Sequence, residues 1–132
     1  MFWKKKEKKR PVVLIADDDS VMRTILRSIV EKLECKDVIE VGDGNEAVAE
    51  LEKQRITLAI IDINMPEMDG LEVLKIISEK YEDCSVVMIS GDAALDRINK
   101  ASELGAIDFI VKPFKTEAVE KKLSKITKKL FK

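Results

Sequence analysis

Apolar residues recur along the chain with two alternating periods. Val12-Val13-Leu14-Ile15-Ala16 is a continuous, mostly β-branched run, the pattern of a strand buried on both faces. Behind the polar Asp17-Asp18-Asp19-Ser20, the residues Val21, Met22, Ile25, Leu26, Ile29, Val30 and Leu33 repeat at helical spacing, with Asp19 or Ser20 as its cap. The alternation then continues. Asp37–Val41 reads as a second strand, and Gly42–Gly44 turns into a helix over Asn45–Gln54. Leu58-Ala59-Ile60-Ile61 is a third strand, broken by Asp62, and Leu71, Leu74 and Ile77 mark the next helix. Val86–Ile89 is a fourth strand, and Ala93–Leu104 a helix ended by Gly105, as a glycine at C′ would do. Ile107–Val111 is the fifth strand, and Val119, Leu123, Ile126 and Leu130 line one face of a last helix. Five βα units predict an α/β fold with a doubly wound parallel sheet, right-handed crossovers and helices on both faces.

Length and composition agree with a single core. The 132 residues, 45% hydrophobic, fit one domain, expected over 11–132, after a basic lead-in at 1–10. No apolar run approaches the roughly 20 residues that cross a bilayer. Met1–Trp3, followed by lysines, is too short for a signal peptide. Cys35 and Cys84 have no metal-motif spacing and histidine is absent, so reduced thiols in a cytoplasmic protein are expected.

The net charge of −1 conceals a division. Residues 1–10 and 115–132 each carry +5, and the stretch between them −11. An acidic body between basic ends suits a metal or a basic partner, and the ends suit an anionic surface.

Ligands of an open parallel sheet bind at the carboxyl ends of its strands. Here those ends carry Asp17-Asp18-Asp19, then Asp62-Ile63-Asn64-Met65-Pro66, then Ser90-Gly91-Asp92, then Lys112-Pro113. The amino ends offer only Pro11, Lys36, Thr57 and Ser85. Carboxylates gathered on one rim repel each other unless a cation neutralises them, and oxygen donors favour a hard ion, Mg²⁺ or Mn²⁺. A carboxylate beside such an ion can accept a phosphoryl group, with Lys112 balancing the phosphoryl oxygens and Ser90 donating a hydrogen bond. Those parts suffice for phosphoryl transfer. Phosphate loops of the GxGxxG or GxxxxGK[ST] kind are absent.

On these residues the chain resembles the receiver domain of bacterial two-component response regulators, of the stand-alone, chemotaxis type. The resemblance rests on Asp17-Asp18-Asp19, on Asp62-Ile63-Asn64-Met65-Pro66-Glu67-Met68-Asp69-Gly70, on Ser90-Gly91 and on Phe109-Ile110-Val111-Lys112-Pro113-Phe114, and it covers Val12 to Leu130. It implies a flavodoxin-like (βα)5 sheet ordered 2-1-3-4-5. It also implies that Asp62 is the phosphoacceptor and that Asp17, Asp18, Asp62 and the Asn64 backbone carbonyl hold Mg²⁺. Lys112 fills the family's lysine position, Ser90 its Thr/Ser switch position, and Phe109 that of an aromatic which swings inward. Family members often have a cis bond at the position of Lys112–Pro113. Asn64 and Asp92 flank the route of hydrolytic water and so bear on phosphate lifetime. The implied phosphodonor is a histidine kinase or phosphotransfer protein, and the implied output face is formed by helix four, strand five and helix five, with Asp96, Lys100, Phe109, Lys122 and Lys125.

Other readings stand beside this one. A phosphorylation-independent binding module would have lost the acceptor, a metal ligand or the lysine, and none is lost. A Mg²⁺-dependent small-molecule phosphatase or phosphotransferase would want an aspartate at Asn64 for acid–base work. The lysines of the last helix also suit a plain solvated face. Met1-Phe2-Trp3 with the lysines that follow suits weak contact with an anionic membrane. Direct nucleic-acid binding is not expected of so acidic a body.

Overall fold

The computed structural model describes residues 11–35, 37–91 and 95–131. The expected lead-in at 1–10, and the positions Lys36, Asp92, Ala93, Ala94 and Lys132, lie outside the described residues. Among the described residues five strands and five helices alternate: β1 Val12–Ala16, α1 Ser20–Lys32, β2 Asp37–Val41, α2 Gly44–Lys53, β3 Leu58–Asp62, α3 Gly70–Lys80, β4 Ser85–Ser90, α4 Leu95–Glu103, β5 Asp108–Val111 and α5 Thr116–Leu130. The strands form one parallel sheet in the expected order, β2-β1-β3-β4-β5.

The continuous apolar runs are buried from both sides because alternate residues face different helices. Leu14, Ala16, Ala59, Ile61, Val86 and Met88 pack with Ala47 and Leu51 of α2, Val73, Leu74 and Ile77 of α3, and Ala101 of α4. Val13, Ile15, Leu58, Ile60, Val87, Ile89 and Ile110 pack with Leu26, Ile29 and Val30 of α1 and Val119 and Leu123 of α5. A one-residue slip of any strand would exchange these two sets, so the register is firmly fixed. Cys35 and Cys84 are buried free thiols, and burial pushes the Cys84 pKa up to about 12.

Aspartates start three of the helices. Asp19 Oδ1 accepts the amides of Val21 and Met22, Asp43 Oδ1 that of Glu46, and Asp69 Oδ1 that of Glu72. Glu46 Oε1 also accepts the Gly42 amide at 3.1 Å, tying the first turn back to the residue before its cap. That is why α2 begins at Gly44, one residue earlier than its apolar spacing predicts. Gly105 ends α4 as expected: at φ 103° it lets its own amide reach Ser102 O and that of Ala106 reach Ala101 O. Glu34 does the same after α1 without glycine's freedom, at φ 66°.

The outer limits of the strands differ slightly from the apolar runs. β3 includes Asp62, which pairs with Ile89 of β4 instead of breaking the strand, and β5 starts at Asp108. β1 and β3 adjoin with Ala16 opposite Ile61, so the next residues, Asp17 and Asp62, fall side by side where the strand order reverses.

Candidate functional site

Each group at the carboxyl rim is placed by a strand end. Asp17 follows β1, and its amide continues the sheet by donating to Val41 O at 3.1 Å. Its side chain turns inward and is fully buried, and Asp62 is only 4% exposed. Asp18, next to them, faces solvent. One carboxylate oxygen from each of Asp17, Asp18 and Asp62 lies within 4.8 Å of the other two.

Lys112 closes the group from β5. Its Nζ donates to Asp17 Oδ2 and to Asp62 Oδ2, both at 2.9 Å. The remaining oxygens are also engaged: Asp17 Oδ1 accepts the Asp19 amide at 2.9 Å, and Asp62 Oδ1 the Asn64 amide at 3.1 Å. The Lys112–Pro113 peptide bond is cis, as the resemblance implies. Ser90 is fully buried at the end of β4, and its carbonyl accepts the Lys112 amide at 2.8 Å. Phe109 is half-buried against the α2–α3–α4 side of the core. Asn64 is exposed, and Asp92 lies outside the described residues.

Charge makes this arrangement tense. Burial pushes the Asp62 carboxyl above the ordinary carboxylate range; the Lys112 hydrogen bond opposes this and the Asp17 charge adds to it. Burial alone would lower the Lys112 ammonium, but its hydrogen bonds to Asp62 and Asp17 prevail and hold it above the usual lysine value. Three carboxylates against one ammonium leave two negative charges in a set of oxygen donors. That donor set, free of nitrogen and sulfur, fits a hard divalent ion such as Mg²⁺. Exposed Asp18 leaves the set open to an ion that keeps part of its water.

The tension predicts a stability effect. A carboxyl whose folded pKa is raised contributes stability that is fully present below its unfolded pKa and is lost as pH rises through the folded value. At neutral pH without metal the Asp62 charge therefore opposes folding. Asp62→Asn gains about 1–2 kcal/mol in urea unfolding at pH 7, and the gap narrows as pH falls. Equal stability of the two proteins at pH 7 would contradict this.

Two structural residues of the site were not marked by apolar periodicity. Gly70 lies directly under Asp62: a Cβ there would stand 2.2 Å from the Asp62 carbonyl oxygen. The Asp69-Gly70 pair, cap followed by first helical residue, carries the trace of this. Arg23 of α1 reaches the backbone of Asp17 and left no trace in a count of apolar positions.

Known proteins agree with the geometry. A sequence model of the response regulator receiver domain matches residues 13–124. The chemotaxis protein CheY of Listeria monocytogenes is 39% identical over 116 residues, covering 88% of this chain and 98% of that protein. A CheY homolog of Campylobacter jejuni is 35% identical over 117 residues, covering 86% and 90%. Among solved structures, a CheY-like receiver domain protein from Methanospirillum hungatei superposes with a TM-score of 0.81 at 29% identity, covering 92% of this chain and 94% of that one. Vibrio cholerae CheY4 gives 0.80 at 28%, covering 89% and 99%. With the acidic cluster, the sheet order and these relatives in agreement, the chain belongs to the response regulator receiver domains, the CheY-like phosphoacceptors of two-component signalling that are phosphorylated on aspartate in a Mg²⁺-dependent reaction.

Proposed function

We propose that Asp62 is the phosphoacceptor and that phosphorylation there switches the affinity of a partner for the face formed by α4, β5 and α5. The observation that carries this reading is the buried Asp62 carboxylate, shared with Asp17 by one ammonium and adjoining open Asp18. Asp17, Asp18, Asp62 and the Asn64 backbone carbonyl would hold Mg²⁺, which when bound neutralises phosphoryl oxygens and favours approach of the anionic donor. An Asp62 oxygen bonds to phosphorus as the P–N bond of a phosphohistidine breaks, and the departing imidazole takes up a proton. The donor is thus a histidine kinase or phosphotransfer protein.

Once Asp62 carries the phosphoryl group, Lys112 pairs with a phosphoryl oxygen and the Ser90 hydroxyl donates to another. Ser90 pairs with Val111 in the sheet and bonds to the Lys112 amide through its carbonyl, so its movement bears directly on β5. Phe109 lies in that strand, and the Lys122 ammonium of α5 holds its carbonyl at 3.1 Å and Asp108 at 3.2 Å. This linkage supports Ser90 and Phe109 as the switch pair, and Asp96, Lys100, Phe109, Lys122 and Lys125 as the responding surface. Asn64 and Asp92 would set the phosphate lifetime. The site of action would be the cytoplasm; among the described residues no helix is long and apolar enough to cross a membrane. Residues 1–10 would add only weak contact with an anionic membrane surface.

Beryllofluoride with Mg²⁺, a phosphoryl mimic, tests the switch by amide NMR. The expected shifts run from Asp62 through Ser90 and Phe109 to α4 and α5, and Asp62→Asn abolishes them. Shifts confined to the metal loop would mean that the distal face does not respond.

A further inference from the structure

We propose that Arg23 is a positioning residue for the metal loop: it clamps the backbone of Asp17 and thereby sets the affinity for Mg²⁺. The inference rests on the reading of Asp17 and Asp18 as metal-holding residues.

Four hydrogen bonds fix Asp17. Its amide donates to Val41 O, Oδ1 accepts the Asp19 amide, Oδ2 accepts Lys112 Nζ, and its carbonyl accepts Arg23 Nη1 at 2.5 Å. Arg23 alone among these partners reaches the peptide between Asp17 and Asp18, so it governs how the two carboxylates are presented. Arg23 is itself anchored, with Nε donating to Glu40 Oε1 of β2 at 3.3 Å. The other Glu40 oxygen takes Arg27 Nη1 at 2.6 Å, and Arg27 also donates to Val38 O at 3.2 Å. The side chains of Arg23 and Glu40 are 20% and 26% exposed, shielded enough for these bonds to hold geometry.

Arg23, Arg27, Glu40 and Glu31 form a cluster without net charge, so the guanidinium acts on the carboxylates chiefly through the orientation of the loop. Two rigid N–H donors on one planar group are what the role demands, since one points to Glu40 and another to Asp17. Arg27 provides the internal comparison. It ties the same helix to the same strand and the same glutamate through bonds to Glu31, Glu40 and Val38.

Calorimetric titration with Mg²⁺ alone tests the clamp, on wild type, Arg23→Met, Arg23→Lys, Arg27→Met and Asp18→Asn. Urea unfolding and hydrogen exchange of the Asp19 amide accompany each titration. Arg23→Met is expected to weaken Mg²⁺ about tenfold, as loss of a partner that orients a metal ligand commonly does, equivalent to about 1.4 kcal/mol. It also speeds Asp19 exchange, and the phosphorylation rate at saturating Mg²⁺ stays within about threefold of wild type. Arg23→Lys, with a single point of donation, recovers part of the affinity. Arg27→Met loses stability and keeps Mg²⁺ affinity within about twofold. Arg23→Met binding like wild type, or Arg27→Met losing as much affinity, overturns the proposal. If Arg23→Met does not fold, full wild-type affinity in Arg23→Lys overturns it instead. Asp18→Asn titrating like wild type would defeat the metal reading itself, a separate outcome.

Discussion

Lys112→Met slows phosphoryl transfer from acetyl phosphate by about 100-fold, the usual scale for removing one preorganised charge from a transition state. It also lowers stability by about 2–3 kcal/mol at pH 7 in the absence of divalent metal. The cause is the pair it leaves behind. Asp17 is fully buried and Asp62 nearly so, and the Lys112 ammonium 2.9 Å from each is the cation they share. Removing one member of a buried ion pair costs about 3–5 kcal/mol, and the partial exposure of Lys112 reduces this. Lysine's pKa is raised in the folded state, so its contribution is fully present at neutral pH and is lost only as pH rises through that raised value. Lys112→Met/Asp62→Asn recovers most of the stability and none of the phosphorylation. Urea unfolding of the four proteins checks the first part, and the rate of mass gain the second. A single variant within 0.5 kcal/mol of wild type, a threshold of about the ordinary scatter for surface changes, would show that the carboxylates do not need this ammonium.

Gly70→Ala costs about 3 kcal/mol, at the upper end for forcing atoms into a packed site. The added Cβ would lie 2.2 Å from the Asp62 carbonyl oxygen and 2.8 Å from Ile63 Cα, both backbone atoms that no side-chain rotation can clear. The start of α3 must therefore retreat from β3, straining the 2.8 Å bond from the Gly70 amide to Ile63 O and moving Asp62. The melting temperature falls by about 10 °C, and Mg²⁺ binding weakens with it. Gly91→Ala supplies the contrast, since among the described residues nothing lies within 4 Å of its Cβ position and the melting temperature should hold. Equal melting temperatures for Gly70→Ala and wild type would refute the close approach.

Legibility in the sequence followed from how each feature is encoded. Parallel strands buried on both faces need unbroken β-branched runs, so Val12–Ala16 and Leu58-Ala59-Ile60-Ile61 announced themselves. Asp62 did not look like part of a strand because a carboxylate interrupts the run; its place is set by backbone pairing with Ile89, which composition does not express. The start of α2 was hidden for a related reason. Apolar spacing begins inside the helix, whereas Asp43 and Glu46 fix its first turn with side-chain bonds.

The rim itself was visible, because βα topology forces every strand end to one edge. Which carboxylate the lysine meets was not. Lys112 pairs with Asp17 and Asp62, both buried, and Asp18 is left facing water, a choice made by side-chain direction at adjacent positions of one loop. Arg23 escaped because its partner is a backbone carbonyl, which every residue possesses and no motif records.

The central claim is that Asp62 accepts a phosphoryl group in a reaction that needs Mg²⁺. Intact-protein mass after incubation with acetyl phosphate, with and without Mg²⁺, tests it on wild type and Asp62→Asn. Replacing the carboxyl hydrogen of an aspartate with a phosphoryl group adds about 80 Da, and that gain is expected only when both Mg²⁺ and Asp62 are present. An adduct of that mass on Asp62→Asn, or none on wild type under conditions that modify another receiver domain, would contradict it.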